Sequence, residues 1–351
     1  MSKREQILVL GGGHQGLAMA AHLSLAGVKV KLWNRTFDNI HDILNTQIIE
    51  CSGIVKGKAW IEQVSCKIED VICDTVMVTV PAFAHKDVAR MLAGHVSDNT
   101  KIILNPGRTF GALEFMRELK AVGCKAEPKI AETQTIVYTC RRDDRNKVNI
   151  YALKDEVEIA SLKDEDLVDI IESIPKCIRG RFVARKSVIN TSIGNVGMVL
   201  HCAPVLMNVG WIESRAAEFK YYYDGISKSI AQFLEKIDME RISVAAALGY
   251  DIDSVKEWLY VTYHVDGVSL YDCIRNNTSY RSIDAPKTIN HRYLEEDIPY
   301  GLVPLENAAK LIGIEVPNVT LIIDLASALR EKDYRALGRH INKEELEEIC
   351  K

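Results

Sequence analysis

The first residues equipped for chemistry are Gly11-Gly-Gly-His-Gln-Gly16, which stand directly after the apolar run Gln6-Ile-Leu-Val-Leu10. Gly11, Gly13 and Gly16 fill the three places of G-x-G-x-x-G. Each has a mechanical reason in a dinucleotide site: a tight turn, close backbone approach to a pyrophosphate, and close packing of the next helix on its strand. His14 and Gln15 lie inside the turn, where the N-terminus of that helix adds N–H groups and partial positive charge. A glycine-rich turn with no ligand is the plainer reading. The strand before it and the helical residues after it favour the ligand.

About twenty residues further on, an NAD site usually places Asp or Glu on the ribose 2′-hydroxyl. This chain has Asn34-Arg35-Thr36 there. A carboxylate would repel a 2′-phosphate, whereas a guanidinium forks onto it and Asn or Thr adds donors. The triplet therefore favours NADP(H) and leaves NAD(H) open, with Arg35 in solvent beside the adenine as the alternative.

Further candidates sit at predicted strand ends. Val80-Pro81-Ala82 follows the apolar stretch from Thr75, and Asn105 follows Lys101-Ile-Ile-Leu104. Ligands of a doubly wound sheet bind outside the carboxyl ends of its strands, so both places face a cofactor. A Pro-Gly turn without contact is the alternative at Asn105. Arg141 is either a fork for a carboxylate or phosphate, or a solvated turn arginine. His201 is either a satisfied core histidine beside an apolar run or a cleft residue, since Gly194, Asn195 and Gly197 precede it. Asp297 closes a charged run and is followed by Ile-Pro-Tyr-Gly-Leu-Val-Pro304, a setting that suits a site carboxylate.

The elements that must position these groups divide into two kinds. Short apolar strands alternate with helices up to residue 184: strands at 6–10, 28–33, 75–80, 101–104, 129–132, 135–140, 148–153 and 157–162, with a hairpin bounded by Gly53 and Gly57. This predicts an α/β Rossmann domain, doubly wound with a mostly parallel sheet, over residues 1–185. From 186 to 351 the periodicity is helical and an all-α second domain follows. Its clearest feature is a stripe at Ile212, Ala216, Phe219, Tyr223, Ile226, Ile230, Phe233 and Ile237. That spacing predicts one long helix with a seam repeating every 3.5 residues, and from it a homodimer.

Composition bounds the rest. The 351 residues suffice for two domains, and 47% hydrophobic with 26% charged content suits an ordinary globular chain. A net charge of −4 gives no support for a nucleic-acid partner. No apolar run approaches the ~20 residues that cross a bilayer, so no membrane is expected. Nine cysteines, with no C-x-x-C and no metal-like spacing, fit a cytoplasmic protein without a bound metal.

Taken together, these residues resemble the opine dehydrogenases: octopine and nopaline dehydrogenases and the bacterial N-(1-carboxyethyl)amino-acid dehydrogenases. The resemblance covers nearly the whole chain. It rests on Gly11–Gly16, Val80-Pro-Ala-Phe-Ala-His85, Asn105-Pro-Gly-Arg108, Ala131-Glu-Thr133 followed by Arg141, Asn195 ahead of His201 with Pro204, Phe219–Glu240 with its Asp-Gly-Ile-Ser turn, and Arg292-Tyr-Leu-Glu-Glu-Asp297-Ile-Pro-Tyr-Gly301. It implies a Rossmann domain, a helical domain, and an active site between them. It also implies reversible joining of an amino acid's amine to a 2-oxo acid, with reduction of the imine by NAD(P)H. A His–Asp pair is the family's acid–base unit, and His201 with Asp297 falls on it. Both substrates carry carboxylates, which makes Asn195, Arg141, Arg292 and Tyr223 the candidates to hold them. One departure stands out: Cys202-Ala203 precede a single Pro204, where many relatives have two prolines after the histidine. Two other classes compete, a simple 2-oxo acid or hydroxy acid dehydrogenase on the same plan and a non-catalytic NADP(H)-sensing protein.

Overall fold

The computed structural model describes residues 6–214 and 218–350. The chain forms two compact units: Met1–Gly107 with Gly111–Thr191, and Arg108–Phe110 with Ser192–Lys351. The division thus falls at 191/192 rather than at the expected 185/186. It also assigns the three-residue segment Arg108–Phe110 to the helical unit.

In the first unit the strands are β1 (Gln6–Leu10), β2 (Lys29–Trp33), β3 (Ile48–Gly53), β4 (Gly57–Trp60), β5 (Gln63–Ser65) and β6 (Thr75–Val78). They continue with β7 (Lys101–Leu104), β8 (Lys129–Thr133), β9 (Tyr138–Asp144), β10 (Lys147–Leu153), β11 (Val157–Ser161) and β12 (Phe182–Ala184). The large sheet runs β12-β11-β8-β7-β6-β1-β2-β5, parallel throughout except where β11 meets β8. A smaller sheet, β4-β3-β10-β9, contains the expected hairpin of β3 and β4. Helix His14–Leu25 touches strands of both sheets and buries nearly every side chain except its polar ones. Its sequence is accordingly apolar all round, as a helix covered on all sides requires.

In β1, Leu10 lies opposite Trp33 on one side and Val78 on the other. The chain leaves β1 for one neighbour and reaches the other later, so the sheet's order reverses here. That reversal opens a crevice at the carboxyl ends, and the glycine turn occupies it.

The second unit is built around the buried helix Gly197–Met207, against which helices Lys228–Ala247 and Pro317–Arg330 pack. The long helix expected from Trp211 to Ile237 does not exist. Helix Val209–Ser214 ends early, Ala216 of the stripe lies outside the described residues, and Tyr221–Gly225 forms a turn. A Cβ on Gly225 would come within 2.5 Å of the Tyr221 carbonyl oxygen, so the chain folds back tightly there. Ser227 then starts a new helix by accepting the Ile230 N–H. The seam is a coincidence of spacing across a break, and the homodimer inferred from it loses its motive. Bilayer length also needs correcting, because Val188–Met207 is a run of 20 residues that holds an 18-residue stretch of mean hydropathy 1.2. It is two helices rather than one, and almost all of it is buried.

Candidate active site

The cofactor side is built at the end of β1. Gly11 donates its N–H to the Trp33 carbonyl at 2.8 Å, and Gly12 donates to Asn34 Oδ1 at 2.9 Å. Asn34 Nδ2 donates in turn to the Thr36 carbonyl at 2.8 Å. A Cβ on Gly16 would lie 1.7 Å from the Gly11 carbonyl oxygen and 2.8 Å from Thr79 Oγ1, whereas one on Gly13 would meet nothing within 4 Å. Gly16 therefore exists for packing, and Gly13 keeps open the surface that a pyrophosphate must approach. No side chain caps the helix that follows. The hairpin of β9 and β10 closes over the turn: Arg142 donates from Nη1 to the Gly12 carbonyl at 2.8 Å, and its backbone N–H donates to His14 Nδ1 at 2.7 Å. That bond makes Nδ1 the acceptor, so the imidazole carries its proton on Nε2.

Among the buried acceptors of this unit that have no partner among the described residues are Gln15 Oε1 and Asn105 Oδ1. Asn105 is 2% exposed and sits directly after β7, with its amide nitrogen held by the Ile103 carbonyl at 2.8 Å. An open glycine turn, an uncapped helix start and two orphaned acceptors fit a bound dinucleotide. Arg35 is exposed and pairs with Asp87 at 3.0 Å, while Thr36 is exposed at the cap position of the next helix.

The second unit holds the titratable groups. His201 lies one turn into helix Gly197–Met207, whose start is fixed by Gly197 N–H donating to Asn195 Oδ1 at 2.8 Å. Pro204 removes an N–H from this helix and frees the carbonyl four residues back, that of Leu200. The Tyr221 hydroxyl covers the gap, donating to the Leu200 carbonyl at 3.3 Å and to that of His201 at 2.6 Å. The imidazole stacks on Tyr293 with ring centres 4.0 Å apart. Its Nδ1 lies 2.8 Å from Asp297 Oδ2. The other Asp297 oxygen accepts from Arg108 Nη1 at 2.6 Å, and Arg108 Nη2 pairs with Glu296 at 3.2 Å.

The Asp297 side chain is 2% exposed and that of His201 15%. Burial pushes the Asp297 carboxyl up, but Arg108 and His201 outweigh it and hold the group below the usual carboxylate range. An ionised carboxylate only accepts, so neutral His201 carries its proton on Nδ1 and leaves Nε2 to exchange protons. Neighbouring His291 behaves differently. Burial, with Arg292 and His201 adding to it, lowers its pKa to about 4. It stays neutral, its Nδ1 accepting the Tyr293 N–H at 3.3 Å. An imidazole oriented by a buried carboxylate and reachable from outside can give and take one proton.

Residues 184–330 match a family described as NAD/NADP octopine/nopaline dehydrogenase, alpha-helical domain, and residues 7–106 match ketopantoate reductase PanE/ApbA. The opine dehydrogenase of Arthrobacter sp. (strain 1C) is 34% identical over 346 residues, covering 98% of this chain and 96% of that protein. The chain belongs to the opine dehydrogenase family. Solved relatives share the fold: octopine dehydrogenase with NADH and L-arginine superposes with a TM-score of 0.75 at 21% identity, covering 93% and 90% of the two chains. Yersinopine dehydrogenase with NADP+ bound gives 0.76 at 12% identity, covering 100% and 97%. The chain is an NAD(P)-dependent oxidoreductase with an N-terminal Rossmann unit and a helical second unit, as the sequence predicted.

Against the residues named from sequence, the structure brings some together and redirects others. His201, Asp297, Asn195 and Arg292 belong to one cluster. Arg292 is exposed, its guanidinium carbon 6.0 Å from the Tyr293 ring centre, and its charge helps lower the Asp297 and His291 pKa values. Tyr223 is a correction. Its hydroxyl donates to the Arg275 and Asn277 carbonyls, and Arg275 lies over its ring at 4.7 Å. Tyr221 and Tyr293 are the tyrosines that touch His201. Asn34 spends its oxygen on the Gly12 N–H and one amide N–H on the Thr36 carbonyl, which leaves its second N–H to donate. Arg141 is exposed on β9 in the first unit, and its neighbour Arg142 is the arginine that grips the turn. Val80 and Ala82 flank exposed Pro81 beyond β6, and Val80 Cγ1 would be 3.2 Å from a Cβ on Gly11. Sequence reading gave no role to Arg108, Glu296, Tyr221 or Tyr293. The only signal was their place in stretches that carry the resemblance: Pro-Gly-Arg108, Phe219–Glu240 for Tyr221, and Tyr293-Leu-Glu-Glu-Asp297.

Proposed function

We propose that this protein condenses the amine of an amino acid with a 2-oxo acid and reduces the imine to an N-(1-carboxyalkyl) amino acid, reversibly, with His201 as acid–base and Asp297 as its partner. The observation that carries this reading is the 2.8 Å bond from His201 Nδ1 to a buried carboxylate, in the unit that matches the family's helical domain. NAD(P)H, when bound by the glycine turn, supplies the hydride that the imine carbon receives. His201 Nε2 takes a proton from the substrate ammonium, which frees the nitrogen to attack the carbonyl. The same proton returns to the carbinolamine oxygen as water leaves, giving the iminium. One further proton completes the secondary ammonium, so the net reaction consumes NAD(P)H and one proton and releases water. Asp297 stabilises the imidazolium in between. Arg292, exposed beside the pair, suits a substrate carboxylate. NADP(H) preference and a cytoplasmic location belong to the same reading, supported by Arg35 at the end of β2 and by nine cysteines without paired spacing.

The test is NADPH oxidation against a matrix of 2-oxo acids and amino acids. Turnover should need both substrates, and mass spectrometry should find the secondary amine. His201→Asn should bind cofactor normally and lose about 10²–10⁴-fold in kcat. Asp297→Asn should lose comparably, and the double variant little more, because the two act as one unit. Oxidation with the 2-oxo acid alone would make the protein a simple dehydrogenase, and full activity of His201→Asn would remove the proposed pair.

A further inference from the structure

We propose that Arg108 is a positioning residue for the acid–base pair, its guanidinium clamping Asp297 so that one carboxylate oxygen is held toward His201 Nδ1. This rests on the reading of His201 and Asp297 above. The geometry is that of a chain of contacts: Glu296 to Arg108 Nη2 at 3.2 Å, Arg108 Nη1 to Asp297 Oδ1 at 2.6 Å, and Asp297 Oδ2 to His201 Nδ1 at 2.8 Å. Without the first contacts a carboxylate can turn about its own axis. With them its second oxygen has one direction to face.

The protein makes room for this arginine. A Cβ on Gly197 would come within 2.8 Å of Arg108 Nη1 and 3.1 Å of Asp297 Oδ1. Arg108 itself is held at φ 60°, a left-handed conformation that a non-glycine residue keeps only where its surroundings over-determine it. The surroundings do so: Thr109 N–H donates to the Tyr300 carbonyl at 3.0 Å, its carbonyl accepts from Arg339 Nη1 at 2.5 Å, and Phe110 N–H donates to Ser192 Oγ at 2.8 Å. The whole segment Arg108–Phe110 belongs to the helical unit, although Gly107 and Gly111 on either side do not. An arginine serving only to neutralise charge would need neither the strained backbone nor the cleared space at Gly197.

Asp297 is faced by Arg108 from the loop after β7, by His201 and Cys202 from helix Gly197–Met207, and by Arg292, Glu296 and His291 from its own stretch. Tyr221 and Tyr293 complete the surround as neutral phenols, pushed up by burial. Among these, Arg108 opposes the burial of Asp297 most strongly.

The experiment uses Arg108→Lys, which keeps the charge but loses the fork, and Arg108→Met with Glu296→Gln, which leaves no unmatched second carboxylate. Nitrogen-15 spectra of labelled histidine report the His201 tautomer directly, and activity is followed with the substrate pair that turns over fastest in the wild type. We expect the wild type to show the proton on Nδ1 and both variants a mixture. Cofactor affinity should be unchanged and kcat should fall by about 10–100-fold. Arg108→Lys should keep more activity than the double variant. If the double variant fails to fold, Arg108→Lys alone carries the same readouts. A wild-type tautomer together with kcat within about threefold of wild type overturns the inference. Normal Arg108 variants beside an inactive His201→Asn would defeat this inference alone, whereas an active His201→Asn would defeat the function itself.

Discussion

At the scale of single residues, the two functional clusters differ in how strongly they are held. Asp297 is buried and gripped from two sides, so its contacts count at low local dielectric. Arg35 is the opposite case. Its side chain is 66% exposed and its partner Asp87 61% exposed, which makes the pair a weak surface one. Arg35 can therefore turn to a 2′-phosphate at little cost, but solvent also screens what it gains. Asn34 spends its oxygen and one N–H within the turn, so on the proposed reading discrimination for NADPH falls mainly to Arg35. Arg35→Ala should weaken NADPH binding by about tenfold, the lower end for a charge-assisted contact, and hardly change NADH. Equal losses in fluorescence titrations with the two cofactors would show that Arg35 reads no phosphate.

At the scale of elements, the glycine turn separates two reasons for the absence of a side chain. Gly16 lies where a Cβ would overlap backbone, 1.7 Å from the Gly11 oxygen. Gly16→Ala has to push helix His14–Leu25 off β1, and overpacking of this kind costs about 1–3 kcal/mol. It should lower both the melting temperature and cofactor affinity. Gly13→Ala meets nothing within 4 Å and keeps an ordinary φ of −82°, so stability should stay level while the methyl obstructs the pyrophosphate. A matched pair of thermal melts and cofactor titrations decides this. A destabilised Gly13→Ala with normal cofactor binding would mean that the turn is only structural.

At the scale of the whole molecule, acid stability has an identifiable contributor outside the acid–base pair. Glu306 is buried at 2% exposure and accepts from Arg335 at 2.7 Å, Lys310 at 2.8 Å and Thr320 at 2.7 Å. Burial raises its pKa, and these partners more than reverse that, taking it from 4.5 to about 2. A carboxyl depressed in the folded state stabilises above its unfolded pKa and loses that contribution as pH falls through the folded one. At neutral pH the effect is on the order of 3 kcal/mol, and it should drain away between about pH 4.5 and 2. Urea unfolding should therefore show Glu306→Gln much less stable than wild type at pH 6, with the gap narrowing toward pH 3. A gap that stays constant with pH would assign the loss to packing instead.

Local pattern was enough for β1, the glycine turn, the parallel strands and the hairpin at Gly53 and Gly57, because each follows from spacing within a few residues. The family motifs likewise marked His201 and Asp297, which stand 96 positions apart in the sequence. The stripe from Ile212 to Ile237 failed because periodicity is blind to a chain reversal, and the reversal at Gly225 is made by close backbone contact that no spacing encodes. Asn34 reads as a phosphate donor in the sequence, and folding gives it a further task, its oxygen accepting the Gly12 N–H at 2.9 Å. Arg108 carried no local sign of its role, since its partners Glu296 and Asp297 are nearly 190 residues away and only folding sets them against it. Sequence by itself determined which elements form and which groups carry the chemistry, because both depend on residue type and near neighbours. Tertiary structure alone decided which donors remain available and which charges are buried together, because those depend on what the rest of the chain packs against them.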